Sequence, residues 1–251
     1  ARNEEYNIPH LLSDLSQQND VNFEVIVVDD SSTDKTEEVV KDFNFVKFVK
    51  SKEEGKKAAL SYGIAHSNAD IIVTTDADCR LTNNWLVKMI APFSDKDMQL
   101  VVGPVTFLKE NNFFEKLQSL EFMSLIGSGA GEVGVDQAFI CNAANLAFRK
   151  SNFIDSLNKK ASGDDVFLLH NVKKNRGLIS FVKDRSAIVA TKAKRDLASF
   201  LQQRKRWAAK TSTYIDKDAQ YISWLVFLVN LSLIFTFFTG NFFHIGLLFF
   251  F

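Results

Sequence analysis

Apolar residues in the first hundred positions fall into two alternating rhythms. Ile8, Leu11, Leu12 and Leu15 recur at the spacing of one helix face, and FEVIVV (23–28) follows as a short, β-branched run of strand length. Ser32 or Thr33 can cap the next helix, in whose first turns Asp34, Glu37 and Glu38 complement the helix dipole. FVKFV (45–49) returns as a strand, GKKAALSYGIAHS (55–67) as a helix, DIIVTT (70–75) as a strand, NNWLVKMIAPF (83–93) as a helix and LVVGPV (100–105) as a strand. Alternation this regular predicts an α/β fold with a mostly parallel central sheet, helices on both faces, and ligands outside the carboxyl ends of the strands.

Beyond residue 106 the rhythm changes. FFEKLQSLEFMSLI (113–126) reads as an amphipathic helix and GSGAGEVG (127–134) as a flexible loop. NLAF (145–148) reads as a strand, GDDVFLLHNVKKN (163–175) as a helix, LISFVK and SAIVA as two strands, and RDLASFLQQRKRWAAK (195–210) as a helix. With no repeat and no long linker, the two parts are expected to share one sheet and face one cleft. Residues 1–106 form the first half and 107–215 the second.

The end of the chain changes the picture. From Ala219 to Phe251 there is no Asp, Glu, Lys or Arg, and ISWLVFLVNLSLIFTFFT (222–239) approaches the roughly 20 residues that a helix needs to cross a bilayer. Gly240 and Asn241 then read as a turn before a second apolar stretch. Lys192, Lys194, Arg195, Arg204, Lys205, Arg206 and Lys210 precede this segment, and excess Lys and Arg marks the cytoplasmic side. These features predict a membrane anchor over 219–251, with the plasma membrane as its expected location, the catalytic domain in the cytoplasm, and basic residues near anionic headgroups. At the other end, ARNEE opens without Met, a signal-peptide pattern or a preceding strand, the expectation being that the first strand of the domain is missing.

Composition mainly excludes. Thirty basic and thirty acidic residues cancel, leaving no global field of the kind that draws a protein to nucleic acid, so no nucleic-acid partner is expected. Cys79 and Cys141 lack zinc or disulfide spacing and read as small packed thiols in a reducing compartment. His10, His66, His170 and His244 are scattered without ligand spacing and read as structural.

The candidate chemistry is acidic. Asp76 and Asp78 end a buried-looking strand, and residues two apart in extended backbone point the same way, so the pair suits Mg²⁺ or Mn²⁺ completed by water and substrate phosphates. Asp29 and Asp30 end another strand. They suit a second metal, a nucleoside or a helix cap, but not a calcium loop, because Lys35 and Lys41 stand where Gly and Glu belong. Asp164 and Asp165 open a predicted helix, where capping and general-base roles are both open. Gln203, Arg206 and Trp207 share a helical stripe that suits either a phosphate and a ring or a membrane-interface anchor. Lys56 and Lys57 follow Gly55 at a helix start that favours anions, without the spacing of a P-loop.

Taken in order, ARNEE (1–5), VVDDSSTDKT (27–36), GKKAAL (55–60), TTDADC (74–79), CNAANLAFRK (141–150), GDD (163–165) and QRKRW (203–207) resemble the family 2 glycosyltransferases. The likeness is to the membrane-anchored branch related to cellulose, chitin and hyaluronan synthases and to bacterial exopolysaccharide and glycolipid enzymes. It implies a GT-A fold, a nucleotide-diphospho-sugar donor, a lipid or saccharide acceptor, a divalent metal and inversion at the anomeric carbon. By the same resemblance Asp29, Asp30 and Glu4 are nucleoside contacts, Lys56 joins the donor site, and Asp76 and Asp78 are the metal and diphosphate motif. Asp165 matches the base, with Asp164 its neighbour, while Gln203, Arg206 and Trp207 match QxxRW beside diphosphate and acceptor. The 113–126 helix and CNAAN resemble the acceptor wall. GDD replaces the commoner GED or TED, and DDSS replaces DDGS, so Ser31 must take whatever backbone Gly usually adopts. Two rival functions remain: a sugar-phosphate nucleotidylyltransferase, and a membrane-tethered module that binds sugar nucleotides without turnover.

Overall fold

The computed structural model describes residues 1–157 and 165–211, with 220–221, 224–229, 231–232 and Phe235. Two compact units, Ala1–Arg195 and Asp196–Phe251, are each described by themselves. In the first, α1 (Ile8–Ser16), β1 (Val25–Asp29), α2 (Thr36–Lys41), β2 (Val46–Lys50), α3 (Lys56–His66) and β3 (Ile71–Thr74) follow the predicted alternation. After them come α4 (Trp85–Ile90), β4 (Met98–Val102), β5 (Val105–Phe107), α5 (Phe113–Gly134), β6 (Leu146–Arg149), α6 (Lys150–Leu157), α7 (Asp165–Lys174), β7 (Leu178–Phe181) and β8 (Val189–Thr191). The second unit contributes α8 (Leu197–Thr211). Among the described residues no helix is long and apolar enough to cross a membrane, and most of the expected anchor over 219–251 lies outside them.

The sheet is mixed, which corrects the expectation of a mostly parallel one. β1 pairs with β2 in parallel, β5 pairs with β8 in parallel, and a four-stranded sheet runs in the order β3-β6-β4-β7. Within it β6 is antiparallel to both β3 and β4, while β4 and β7 are parallel. The reason lies in where β6 starts. Leu146 is opposite Thr74, the last residue of β3, so a strand leaving that end of the sheet has to run back against its neighbours. First-half strands β3 and β4 and second-half strands β6 and β7 do share this one sheet. Its centre reads as continuous apolar runs because both faces are covered: Leu100, Val101 and Val102 of β4 and Leu146, Ala147 and Phe148 of β6 are all buried.

Two local expectations are also corrected. Ser32 and Thr33 do not cap α2, whose N-cap position is Lys35 with no side-chain cap; Asp34, just before it, accepts from the Thr36 N–H on Oδ1 at 3.0 Å, while Ser32 Oγ accepts from Asn3 N–H and Thr33 N–H donates to Asn3 Oδ1. The GSGAGEVG stretch is not a loop but the last turns of α5, a helix of 22 residues. Each glycine costs a helix about 1 kcal/mol relative to alanine, and tertiary contacts offset that here. Gly129 is buried against the Ile140 carbonyl, and Glu132 bonds the main chain beyond the helix end.

Where β4 ends and β6 begins lies a buried amide whose side-chain donors and acceptor are all used. Asn145 is fully buried; its Nδ2 donates to the carbonyls of Pro104 and Ala187 at 2.7 and 2.8 Å, and its Oδ1 accepts from Trp85 Nε1 at 2.9 Å. Its carbonyl accepts from Gly103 N–H at 2.9 Å. The fit leaves no space, since a Cβ on Gly103 would lie 2.3 Å from Asn145 Nδ2. Replacing Asn145 with Ala strands two buried groups, the Ala187 carbonyl and the Trp85 indole N–H, while the Pro104 carbonyl keeps the Val189 N–H, and each unpaired group costs about 1–3 kcal/mol. We therefore expect Asn145→Ala to lower unfolding free energy by about 2 kcal/mol or more, read as a fall in the urea midpoint, with Gly103→Ala failing in the same direction.

Candidate active site

The carboxyl ends of β1 and β3 deliver the two acidic pairs. Asp29 and Asp30 are buried, and Ser32 N–H points at both Asp29 oxygens at 3.3 Å. The turn after them puts Ser31 at φ 59°, the left-handed conformation that glycine would adopt at the position marked by the DDGS pattern. ARNEE lies along this turn. Glu4 N–H donates to Thr36 Oγ1, Glu5 N–H to Asp34 Oδ2, and Ala1 makes parallel-strand bonds to Val28 and Asp30. The Glu4 carboxylate accepts from Asn7 Nδ2 at 2.7 Å.

Gly55 and Lys56 join the two pairs. Gly55, at φ 111° where only glycine is unstrained, donates its N–H to Asp30 Oδ1 at 2.7 Å, and Lys56 Nζ reaches Asp76 Oδ1 at 2.6 Å. Asp78 follows on the same loop, half-buried. The loop is fixed beyond it by Arg80, whose guanidinium forms a two-pronged pair with Asp14 of α1 (2.6 and 2.9 Å) and whose main chain bridges to Ala190. Burial, joined by the charges of Asp78 and Asp76, pushes the intervening Cys79 thiol up to about 12, so it stays protonated. The cysteines are buried as expected, and His66 and His170 bond main-chain carbonyls.

Asp165 reaches the same strand end by another route. As the first residue of α7, it accepts the Ala143 N–H on Oδ2 at 2.8 Å, and Thr74 Oγ1 at the end of β3 donates to the Ala143 carbonyl at 2.7 Å. One residue of CNAAN thus ties the carboxylate to the strand that leads into Asp76. Asp164 lies outside the described residues. Gln203, Arg206 and Trp207 belong to the second unit. Within α8 it is Arg204, not Arg206, that lies over the Trp207 ring at 4.2 Å and bonds Gln203 Oε1 at 3.0 Å. The ring of the expected stripe is thus covered by an arginine that the sequence placed only in the basic flank.

Among the described residues no group of three or more His, Cys, Asp or Glu is placed to hold a metal. A pair of carboxylates still suits Mg²⁺ or Mn²⁺, which take few protein ligands and complete their shell with water and phosphate. That Asp76 already holds an ammonium shows the pair attracts positive charge. Sequence reading missed Arg80, Asp14 and Glu132. The last stands near the end of α5, where its Oε2 accepts from Phe139 and Ile140 N–H at 3.2 Å each, just before CNAAN. Its only signal was acidity in an apolar, glycine-rich stretch.

The family model described as Glycosyl transferase family 2 matches residues 1–157. Among curated relatives, glycosyltransferase AglE of Haloferax volcanii is 31% identical over 116 residues, covering 43% of this chain and 38% of that protein. Poly-beta-1,6-N-acetyl-D-glucosamine synthase of Staphylococcus aureus is 31% identical over 111 residues, covering 41% and 26%. The matched part of this chain thus spans well under half of these relatives. Among solved structures, glucosyl-3-phosphoglycerate synthase of Mycobacterium tuberculosis with Mn²⁺ and uridine-diphosphate-glucose aligns at TM-score 0.59 and 21% identity, over 86% of this chain and 78% of that one. TarS 1-349 of S. aureus with UDP aligns at 0.58 and 16%, over 88% and 66%. At these identities the likeness fixes the fold, which is GT-A.

Burial raises the Glu132 carboxyl to about 7, against the Phe139 and Ile140 N–H groups and Lys173, which lower it. A pKa above the unfolded value means stability that is complete below about pH 4.5 and lost as pH rises through about 7. Glu132→Gln keeps an acceptor for both N–H groups and cannot ionise. Across that window the parent protein should lose roughly 2–6 °C of melting temperature relative to this variant, after allowance for partial exposure; parallel pH profiles would contradict the assignment.

Proposed function

The chain belongs to glycosyl transferase family 2, and from that premise we propose that it transfers a sugar from a nucleotide-diphospho-sugar to an acceptor hydroxyl with inversion. The observation that carries the reading is the pair of polar links that gather distant acids at one set of strand ends: Asp30–Gly55–Lys56–Asp76, and Thr74–Ala143–Asp165. Asp29, Asp30 and Glu4, laced to ARNEE, take the nucleoside. Lys56 provides a movable positive charge for the diphosphate. Asp76 and Asp78 would hold a divalent cation, Mg²⁺ or Mn²⁺, which when bound neutralises the departing diphosphate.

Asp165 acts as the base. As the acceptor oxygen attacks the anomeric carbon from the face opposite the diphosphate, its proton passes to the Asp165 carboxylate and the sugar–phosphate bond breaks, releasing nucleoside diphosphate. One displacement with one base gives inversion. Asp165's position at a helix start, with Ala143 N–H on one oxygen and its own helix's Val166 N–H at 3.1 Å from the other, orients the group without neutralising it.

The acceptor is read as a lipid or saccharide, and the chain as anchored at the plasma membrane by residues 219–251 with residues 1–215 in the cytoplasm. Two features support the anchor: the absence of charge in that segment, and residues 224–229, a helical stretch on which Trp224, Leu225, Val226, Phe227 and Leu228 are all exposed. A helix apolar on every side belongs in a core or in lipid.

Asp165→Asn is expected to leave nucleoside diphosphate binding within about threefold and to cut sugar transfer by roughly 10²–10⁴-fold. Retained turnover would move the base elsewhere. Asp78→Ala is expected to abolish the Mn²⁺-dependent part of nucleoside diphosphate binding in calorimetry, and unchanged affinity with and without Mn²⁺ would remove the metal role. Release of pyrophosphate in place of nucleoside diphosphate would favour nucleotidyl transfer. Donor binding without transfer or donor hydrolysis by the parent protein would favour a binding module.

A further inference from the structure

The helix α5 is built inside out. Its buried residues are Glu115, Gln118, Phe122 and Gly129, two of them polar, whereas Phe113, Leu117, Leu120 and Met123 are 75%, 48%, 61% and 65% exposed. At about 100° per residue these four fall within roughly 120° of arc, an outward stripe of large apolar residues that also carries Lys116 and Ser124.

The inward polar residues explain why the helix holds this orientation. Asn112 Oδ1 accepts from Glu115 N–H at 2.9 Å while Glu115 Oε2 accepts from Asn111 N–H at 2.6 Å, a reciprocal cap that fixes the first turn. Gln118 clamps Lys194 from both sides, donating to its carbonyl at 2.8 Å and accepting from its N–H at 3.0 Å. Phe122 stacks on Phe107 of β5 with ring centroids 4.7 Å apart. Turning the stripe inward would break all three, so its exposure is built in.

The Gln118 clamp holds Lys194, and with it Arg195, alongside α5, while Lys192 Nζ is turned to Asn7 Oδ1; exposed Lys109 precedes the helix and exposed Lys116 lies on its outward face. Of the nearby acids, Glu115 is buried, Glu110 accepts from Ser119 Oγ, and Glu121 is half-buried on the far flank. An outward apolar stripe with a basic border is the pattern of a helix lying in the plane of an anionic bilayer surface. A second copy of the same face would set this basic border against itself.

We infer that the outward face of α5 rests on an anionic membrane surface, with Phe113, Leu117, Leu120 and Met123 entering the headgroup region and Lys109, Lys116 and Arg195 meeting lipid phosphates. This rests on the reading of 219–251 as a membrane anchor. It places the long helix before CNAAN, and hence the segment that holds Asp165, against lipid.

The test uses the full chain reconstituted in vesicles of phosphatidylglycerol and phosphatidylcholine. An environment-sensitive fluorophore is placed on Leu120→Cys or, as control, on exposed Glu53→Cys; the native thiols are buried. The label at 120 should shift to the blue, be quenched by headgroup-proximal spin-labelled lipid, and be protected from iodide by about fivefold relative to position 53. Adding Phe113→Glu and Leu117→Glu should abolish that protection without changing the melting temperature. If the chain floats with vesicles but position 120 is as open to iodide as position 53, this inference fails and the anchor stands. If the chain does not float, both fail. Protection that rises with protein density at fixed lipid composition would identify a second copy and overturn the membrane as occupant.

Discussion

One buried amide holds the candidate site to its scaffold. Asn145 ends the CNAAN segment, and its side chain joins the break between β4 and β5, the turn before β8 and the indole of α4. Buried amides are costly unless every donor and acceptor is satisfied, and here both donors and the carbonyl are used. The consequence for chemistry is positional. Two residues upstream, Ala143 offers its N–H to Asp165 and its carbonyl to Thr74, so the stiffness of Asn145 is passed to both Asp165 and the strand that leads into Asp76 and Asp78.

That arrangement accounts for the mixed sheet. To hold Asp165, CNAAN has to stay at the end of the sheet where β3 stops, and β6 can then only run back antiparallel between β3 and β4. Alternation of helices and strands cannot reveal this, because it records element type and not where a connection is retained. The same holds for α5: the glycine-rich stretch reads as a loop from propensity, and is helical because Gly129 packs against a carbonyl and Glu132 holds the main chain that follows.

What was legible followed from local physics. Strand-length β-branched runs became β1, β2 and β3, and acids at strand ends were placed together by the backbone itself. Lys56 was legible as an anion-favouring position at a helix start, and its actual partner is Asp76, an acid standing where a cation would. Ser31 was legible as a strained position only through the resemblance, and its φ of 59° bears that out. The Asp14–Arg80 pair was not legible, since nothing in the spacing of two residues on α1 and after β3 announces that they meet. In α8 the spacing of Gln203, Arg206 and Trp207 did not announce that Arg204 lies over the Trp207 ring, since arginines two apart are indistinguishable by type.

Strain and charge at the site belong together. A non-glycine residue at positive φ costs on the order of 1 kcal/mol, and Ser31 bears it directly after two buried aspartates. The return is that Ser32 N–H turns back onto Asp29 while Asp30 is left to accept from Gly55, so each carboxylate of the pair has its own N–H donor. Without that turn the Ser32 N–H would not reach Asp29, and a buried carboxylate left without a donor is the more expensive outcome. The strained residue is thus the means by which adjacent acids are kept buried and separately oriented, one toward its own turn and the other toward the loop that carries Lys56.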